Sequence, residues 1–237
     1  MPTSRDVHHA QLRPQSLPSI SREFVYVANA GSNDVSVFAV HSGGALKEVA
    51  GSPFAAGTEP TSVGIDRSGN FAYVSNQNYP SPTGSISAYK INPLSGALTP
   101  ITGSPYTEGN SPYAVAVDPL SGRFVYVVNV FSNNVSGYKI DQQHGTLTAI
   151  GGSPFPASSA PESLAIDPLG RFVYVPNTGS NDISAYTIDP NSGSLAHVNG
   201  SPFRAGSTPN SAAVDPSGAF LYVTNPNSQN ISGFAID

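Results

Sequence analysis

The sequence predicts an all-β protein: a β-propeller of about five four-stranded blades with a period of about 48 residues and incomplete ends. Three observations predict it. The block Phe24-Val25-Tyr26-Val27-Ala28-Asn29 returns at Phe71–Asn76, Phe124–Asn129, Phe172–Asn177 and Phe220–Asn225, and its Tyr recurs at spacings of 47, 53, 48 and 48 residues. Three other blocks keep the same period: Gly-Ser-Pro-Phe/Tyr from Gly51, Gly103, Gly152 and Gly200; an apolar-x-apolar-Asp ending at Asp66, Asp118, Asp167 and Asp215; and an Asn/Asp-x-Ser-x-aromatic run ending at Phe38, Tyr89, Tyr138, Tyr186 and Phe234. The composition agrees, with 23 Gly, 22 Pro, 34 Ser and 18 Asn against 11% charged residues and one Met. That balance suits turns and short strands, not helices.

Each repeat resolves into strands A to D. Strand A is typified by Ser62–Asp66. The segments Asp118-Pro119-Leu120-Ser121-Gly122, Asp167-Pro168-Leu169-Gly170 and Asp215-Pro216-Ser217-Gly218 are turns: Asp bonds its own backbone, Pro presets φ, and Gly takes positive φ. Strand B is the Phe-Val-Tyr-Val block, rich in β-branched and aromatic residues. Strand C, such as Val35–Val40 or Ile183–Ile188, alternates large apolar with small residues, as a half-buried strand does. Strand D is typified by Ala45–Ala50. Face-to-face stacking of such sheets buries the Phe and Tyr of strands B and C between blades. Residues 1–20 read as a tail in which Gln15–Ile20 offers a poor first strand A, and residues 21–237 as one domain. Nothing supplies a last strand D. A closed ring of five blades is favoured over an open arc.

Net charge is −5 and no basic run is present, which argues against nucleic acid as a partner. No stretch approaches 18 apolar residues, so no membrane-spanning helix is expected. There is no Cys, hence no disulfide or zinc–thiolate site. No signal-peptide core is visible near the N-terminus, and the composition suits a cytoplasmic or a secreted protein equally.

The Tyr-Val-x-Asn strand (literally Tyr222-Val223-Thr224-Asn225), the Asp-Pro-x-Gly turn and the Ser32-Asn33-Asp34-Val35-Ser36-Val37-Phe38 run resemble those of the YVTN-repeat and lactonase-like (6-phosphogluconolactonase-like) β-propellers. The resemblance covers residues 22–237. It implies a propeller, usually of seven blades, and a repeat that serves both hydrolases and non-catalytic proteins. It also implies a Pro-His pair at the start of strand A, facing the channel. Here those positions read Pro60-Thr61, Pro112-Tyr113, Pro161-Glu162 and Pro209-Asn210, without His.

Propeller ligands bind where the D–A and B–C loops converge. These loops carry Glu59, Glu108, Glu162, Tyr113, Asn210, Arg204, Asp34, Asp182, Tyr79 and Phe131. Hydrolysis of a lactone needs a base and a donor or cation for the oxyanion. Glu162 and Glu59 are the candidate bases, Arg204 the candidate oxyanion partner, and Tyr113, Asn210, Thr61 and Tyr79 candidate ligand contacts. Tyr79 stands in a B–C loop lengthened by four residues relative to the first repeat, a break in symmetry where specificity develops. His41, His144 and His197 fall on the opposite, C–D hairpin side. No metal site, cofactor motif or nucleophile elbow is present. The sequence alone favours a non-catalytic propeller binding a small molecule, such as a sugar or lactone, or a protein. A lactonase-like hydrolase and a structural repeat of a larger propeller are the alternatives. A closed ring would be monomeric, whereas unpaired edge strands would self-associate.

Overall fold

The computed structural model describes residues 23–237, so the tail and its proposed first strand lie outside the described residues. The remainder forms five antiparallel sheets. The first holds β1 (Phe24–Asn29), β2 (Asp34–Val40), β3 (Leu46–Glu48) and β4 (Phe54–Ala55). The second holds β5 (Pro60–Ile65), β6 (Phe71–Asn76), β7 (Ser85–Ile91), β8 (Leu98–Pro100) and β9 (Tyr106–Thr107). The third holds β10 (Pro112–Val117), β11 (Phe124–Asn129), β12 (Asn134–Ile140), β13 (Leu147–Ala149) and β14 (Phe155–Pro156). The fourth holds β15 (Ala165–Ile166), β16 (Phe172–Asn177), β17 (Asp182–Ile188), β18 (Leu195–His197) and β19 (Phe203–Arg204). The fifth holds β20 (Ser211–Val214), β21 (Phe220–Asn225) and β22 (Asn230–Ala235). Strands β5, β10, β15 and β20 neighbour one another and form the inner edge.

Strand D is not one strand. Its two halves pair with opposite ends of strand C, as in Phe38↔Glu48 and Val35↔Phe54. The Gly-Ser-Pro block occupies the break and repairs it. The Ser hydroxyl accepts the strand-C N–H that the broken ladder would leave unpaired: Val37 N to Ser52 Oγ at 2.9 Å, Ala88 N to Ser104 Oγ at 2.8 Å, Gly137 N to Ser153 Oγ at 2.9 Å, and Ala185 N to Ser201 Oγ at 2.9 Å. The Asp-Pro turns behave as expected. Asp215 accepts Ala219 N at 2.8 Å and Phe220 N at 2.7 Å, and Asp66, followed by Arg67 instead of Pro, accepts Asn70 N and Phe71 N in the same way.

The core lies between sheets. Val125 and Val127 face the second sheet beside Phe71 and Tyr73, while Phe124 and Tyr126 face the fourth beside Val173, Val175 and Leu195. A polar latch closes the layers between the first four sheets. Tyr73 OH donates to Gly145 O at 2.9 Å and Tyr126 OH to Gly193 O at 2.7 Å, both in the C–D hairpin of the following sheet.

The favoured ring closure is not what the structure shows. Among the described residues the five sheets form an open arc, and the first and fifth do not pack together. Val25 and Val27 on one end are 36% and 41% exposed, and Phe220 and Tyr222 on the other are each 48% exposed. These residues occupy the positions that meet each other between interior sheets.

Candidate functional site

The D–A and B–C loops share one face, and their geometry follows from one repeated clamp. Asn33, Asn133 and Asn181 take left-handed φ values of 61°, 51° and 59°. Each Oδ1 accepts a backbone N–H of the following D–A loop: Glu59 N at 2.8 Å, Ala160 N at 2.8 Å and Thr208 N at 2.7 Å. Asn tolerates this conformation better than most residues. At the end of strand B, a second Asn ties the loop bases together. Asn76 Nδ2 donates to Ser85 Oγ at 3.1 Å and Ser87 Oγ at 3.0 Å. Gly57 packs so close that a Cβ there would lie 2.6 Å from Asn76 Cγ.

The second sheet departs from this pattern through its longer loop. Gln77 Nε2 reaches Ser111 Oγ at 2.7 Å, and Asn78 Nδ2 donates to Thr83 O at 2.9 Å. Glu59 is drawn into the same cluster, its Oε2 accepting Tyr79 N at 2.6 Å. The structure therefore brings Glu59 and Tyr79 together, with the carboxylate bracing the loop. Tyr79 in turn meets Phe131, a ring for which the sequence reading proposed no role.

Glu162 has a setting of its own. Strand B carries Pro176 where the other repeats carry Ala28, Ser75, Val128 and Thr224. Carbonyls at this position face strand A, as Asn210 N to Thr224 O at 3.1 Å and Glu162 N to Pro176 O at 3.3 Å show. A proline here has no N–H to offer the inner strand. The inner strand of the fourth sheet accordingly shrinks to Ala165–Ile166, beyond an isolated Pro161↔Asn177 bridge. Half-buried Glu162 sits in the loosened segment, its Oε1 3.3 Å from Thr178 Oγ1, whose hydroxyl donates to Ala160 O at 2.8 Å. Pro176 was visible in the sequence as the one break in the strand-B pattern.

Thr61 and Tyr113 are neighbours at the inner edge. Thr61 Oγ1 lies 3.0 Å from Ser75 Oγ, and Ser75 Oγ donates to Tyr113 O at 3.2 Å. The Tyr113 ring is 40% exposed. Asn210 is exposed and accepts Thr224 Oγ1 at 2.9 Å. Arg204 is not grouped with these residues. The sequence reading set it in a D–A loop; it lies in β19, the outermost strand, paired in register with Asp182.

Glu108 serves the fold. It is buried where the other repeats have Ala56, Ala157 and Ala205. Its Oε1 accepts Gly109 N at 2.8 Å and Asn129 Nδ2 at 3.2 Å, as well as Ser136 Oγ, and its Oε2 accepts Tyr138 OH. Burial, then the Glu108 charge, pushes the Tyr138 phenol far above its ordinary range. On the opposite side, His197 belongs to β18 and stacks on Tyr186 with ring centroids 4.6 Å apart. Among the described residues no three metal-ligating side chains cluster, and no helix is long and apolar enough to cross a membrane.

Repeated four-stranded sheets with inner strands along one edge and a loop face above them define a β-propeller. The chain belongs to the lactonase, 7-bladed beta-propeller family, whose profile matches residues 9–160 and 149–237. No curated protein matches the sequence. Among solved structures, a candidate 6-phosphogluconolactonase from Bacteroides uniformis is similar over 90% of this chain and 64% of its own, at 19% identity and a TM-score of 0.77. The periplasmic gluconolactonase PpgL of Pseudomonas aeruginosa is similar over 91% of this chain and 64% of its own, at 20% identity and a TM-score of 0.69. A functionally unknown protein from Desulfotomaculum acetoxidans follows at 18% identity and a TM-score of 0.71. The chain thus spans 64% of the length of the first of these structures.

Proposed function

We propose that the protein acts on sugar lactones as a lactonase-like hydrolase, with Glu162 as general base. The observation that carries this reading is the family match across the chain. It favours hydrolysis over the non-catalytic binding that the sequence alone favours. Glu162 is the acid set apart from the repeat: half-buried at the inner edge, with Pro176 freeing its segment and the Thr178 hydroxyl beside its carboxylate.

The chemistry is simple. The Glu162 carboxylate takes a proton from water as the water oxygen attacks the lactone carbonyl. A tetrahedral oxyanion forms, and in this reading the Tyr113 phenol donates to it. The ring C–O bond then breaks, and the leaving alkoxide takes the proton back from Glu162, giving the open hydroxy acid. Positioned acid–base catalysis contributes about 10²–10⁴-fold. Glu162→Gln should therefore lower kcat on glucono-1,5-lactone by about 10²-fold or more, with KM little changed. Turnover by wild type no faster than the spontaneous rate would sink the hydrolase, and a fully active Glu162→Gln would remove the proposed base.

One placement favours a second reading, binding without turnover: Arg204, the cation proposed for the oxyanion, lies on the outermost strand. Saturable lactone binding by a wild type without turnover would select it.

A further inference from the structure

Two aromatic rings on the loop face remain unused by the fold and by the proposed chemistry. Tyr79 and Phe131 are 60% and 54% exposed. They come from the B–C loops of the second and third sheets, yet their centroids lie 6.2 Å apart with planes inclined at 57°. Neither belongs to the apolar clusters between sheets.

The backbone that carries each ring is held from behind. Tyr79 N donates to Glu59 Oε2 at 2.6 Å, and Asn78 N donates to Thr58 O at 3.1 Å. Phe131 N donates to Asn110 O at 3.3 Å, and Asn110 N donates to Ser132 Oγ at 2.8 Å. The loops thus present the rings in a set arrangement, which lowers the ordering cost of any ligand that uses them. The surroundings mix prolines with uncharged polar groups: Pro80, Ser81, Pro82 and Thr83 follow Tyr79, and Ser132 and Asn133 follow Phe131. The nearby Glu59 carboxylate is already engaged by the Tyr79 amide.

Scale and chemistry choose the ligand. A protein-docking patch is a contiguous apolar surface of several hundred Å², whereas two touching rings amid hydroxyls and amides match one small molecule. A ligand for such a surface needs an apolar face to cover the rings and a polar rim for the surrounding groups. A pyranose ring has both, with C–H bonds on its face and hydroxyls around its edge. We infer that Tyr79 and Phe131 form a stacking shelf for a pyranose ring. Resting on the lactonase reading, this makes the substrate a lactone that carries a further sugar unit.

The shelf is tested first by binding alone, titrating the protein with methyl β-cellobioside, which has no lactone to open. Wild type should bind saturably. Phe131→Ala and Tyr79→Ala should each weaken binding about three- to tenfold, while Tyr222→Ala, at an exposed ring elsewhere, should leave it unchanged. No saturable binding by wild type, or full binding by Phe131→Ala, overturns the shelf. Turnover then separates the two ideas. Cellobiono-1,5-lactone should exceed glucono-1,5-lactone in kcat/KM by about three- to tenfold, and Phe131→Ala should erase that preference. Cellobioside binding lost in the ring variants, with neither lactone turned over, keeps the shelf and rejects the hydrolase. Turnover of both lactones with equal kcat/KM keeps the hydrolase and rejects the extended substrate.

Discussion

Tyr126 and Tyr222 occupy the same place in two nearly identical strands, FVYVVN and FLYVTN, and have opposite surroundings. Tyr126 is fully buried, packed on the fourth sheet and latched to Gly193 O. Tyr222 is 48% exposed because no sheet covers its face among the described residues. Every residue of β11 is buried, whereas in β21 burial alternates, with only the face toward the fourth sheet covered. One repeat motif therefore encodes half of an interface, and the neighbouring sheet supplies the other half.

The sharpest way to break this comparison is to truncate both rings. Tyr126→Ala should destabilise by about 3–5 kcal/mol, as large aromatic-to-Ala changes in cores do. Tyr222→Ala should stay within about 0.5 kcal/mol, as at an exposed site. Denaturant unfolding of the two variants measures both, and equal losses would contradict the open face.

The hairpin glycines sharpen the same contrast. Gly193 has φ +77° and a Cβ there would lie 2.5 Å from Phe124, whereas Gly44 has φ +80° with nothing within 4 Å. Left-handed backbone costs either alanine about 1–2 kcal/mol, and crowding adds roughly 1–3 kcal/mol at Gly193 alone. Thermal unfolding should therefore rank Gly193→Ala well below Gly44→Ala, and similar midpoints would remove crowding as the cause.

The smallest effect is electrostatic. Burial raises the Tyr26, Tyr174 and Tyr186 phenols to about 12. Their folded values exceed the unfolded one, so the contribution is fully present below about pH 10 and is lost as pH rises towards 12. The phenols' contribution should hold from neutral pH to about pH 10 and then fall, with phenolate absorbance appearing late for these rings. Early ionisation at constant fold would mean that the layers admit water.

Much of the loop face was legible for the same local reasons as the fold. The long loop at Tyr79 announces a break in symmetry, and Asn33, Asn133 and Asn181 are of the residue type that best tolerates the left-handed φ the structure gives them. What was not legible depends on contacts between repeats. Glu108 reads as a loop acid until Asn129, Ser136 and Tyr138 from the next sheet surround it. Arg204 reads as a loop cation until strand D is seen to resume after the Gly-Ser-Pro break. Phe131 gains a meaning only beside Tyr79, 52 residues earlier in the chain.

By itself, the sequence determined the repeat, strands A to C and the turns, because each rests on φ preferences and side-chain alternation within a few neighbouring residues. Only the tertiary structure decided that the arc stays open among the described residues, which equivalent aromatics are buried, and which loop side chains meet. Those outcomes depend on whether another sheet lies across the gap, and no local pattern encodes that.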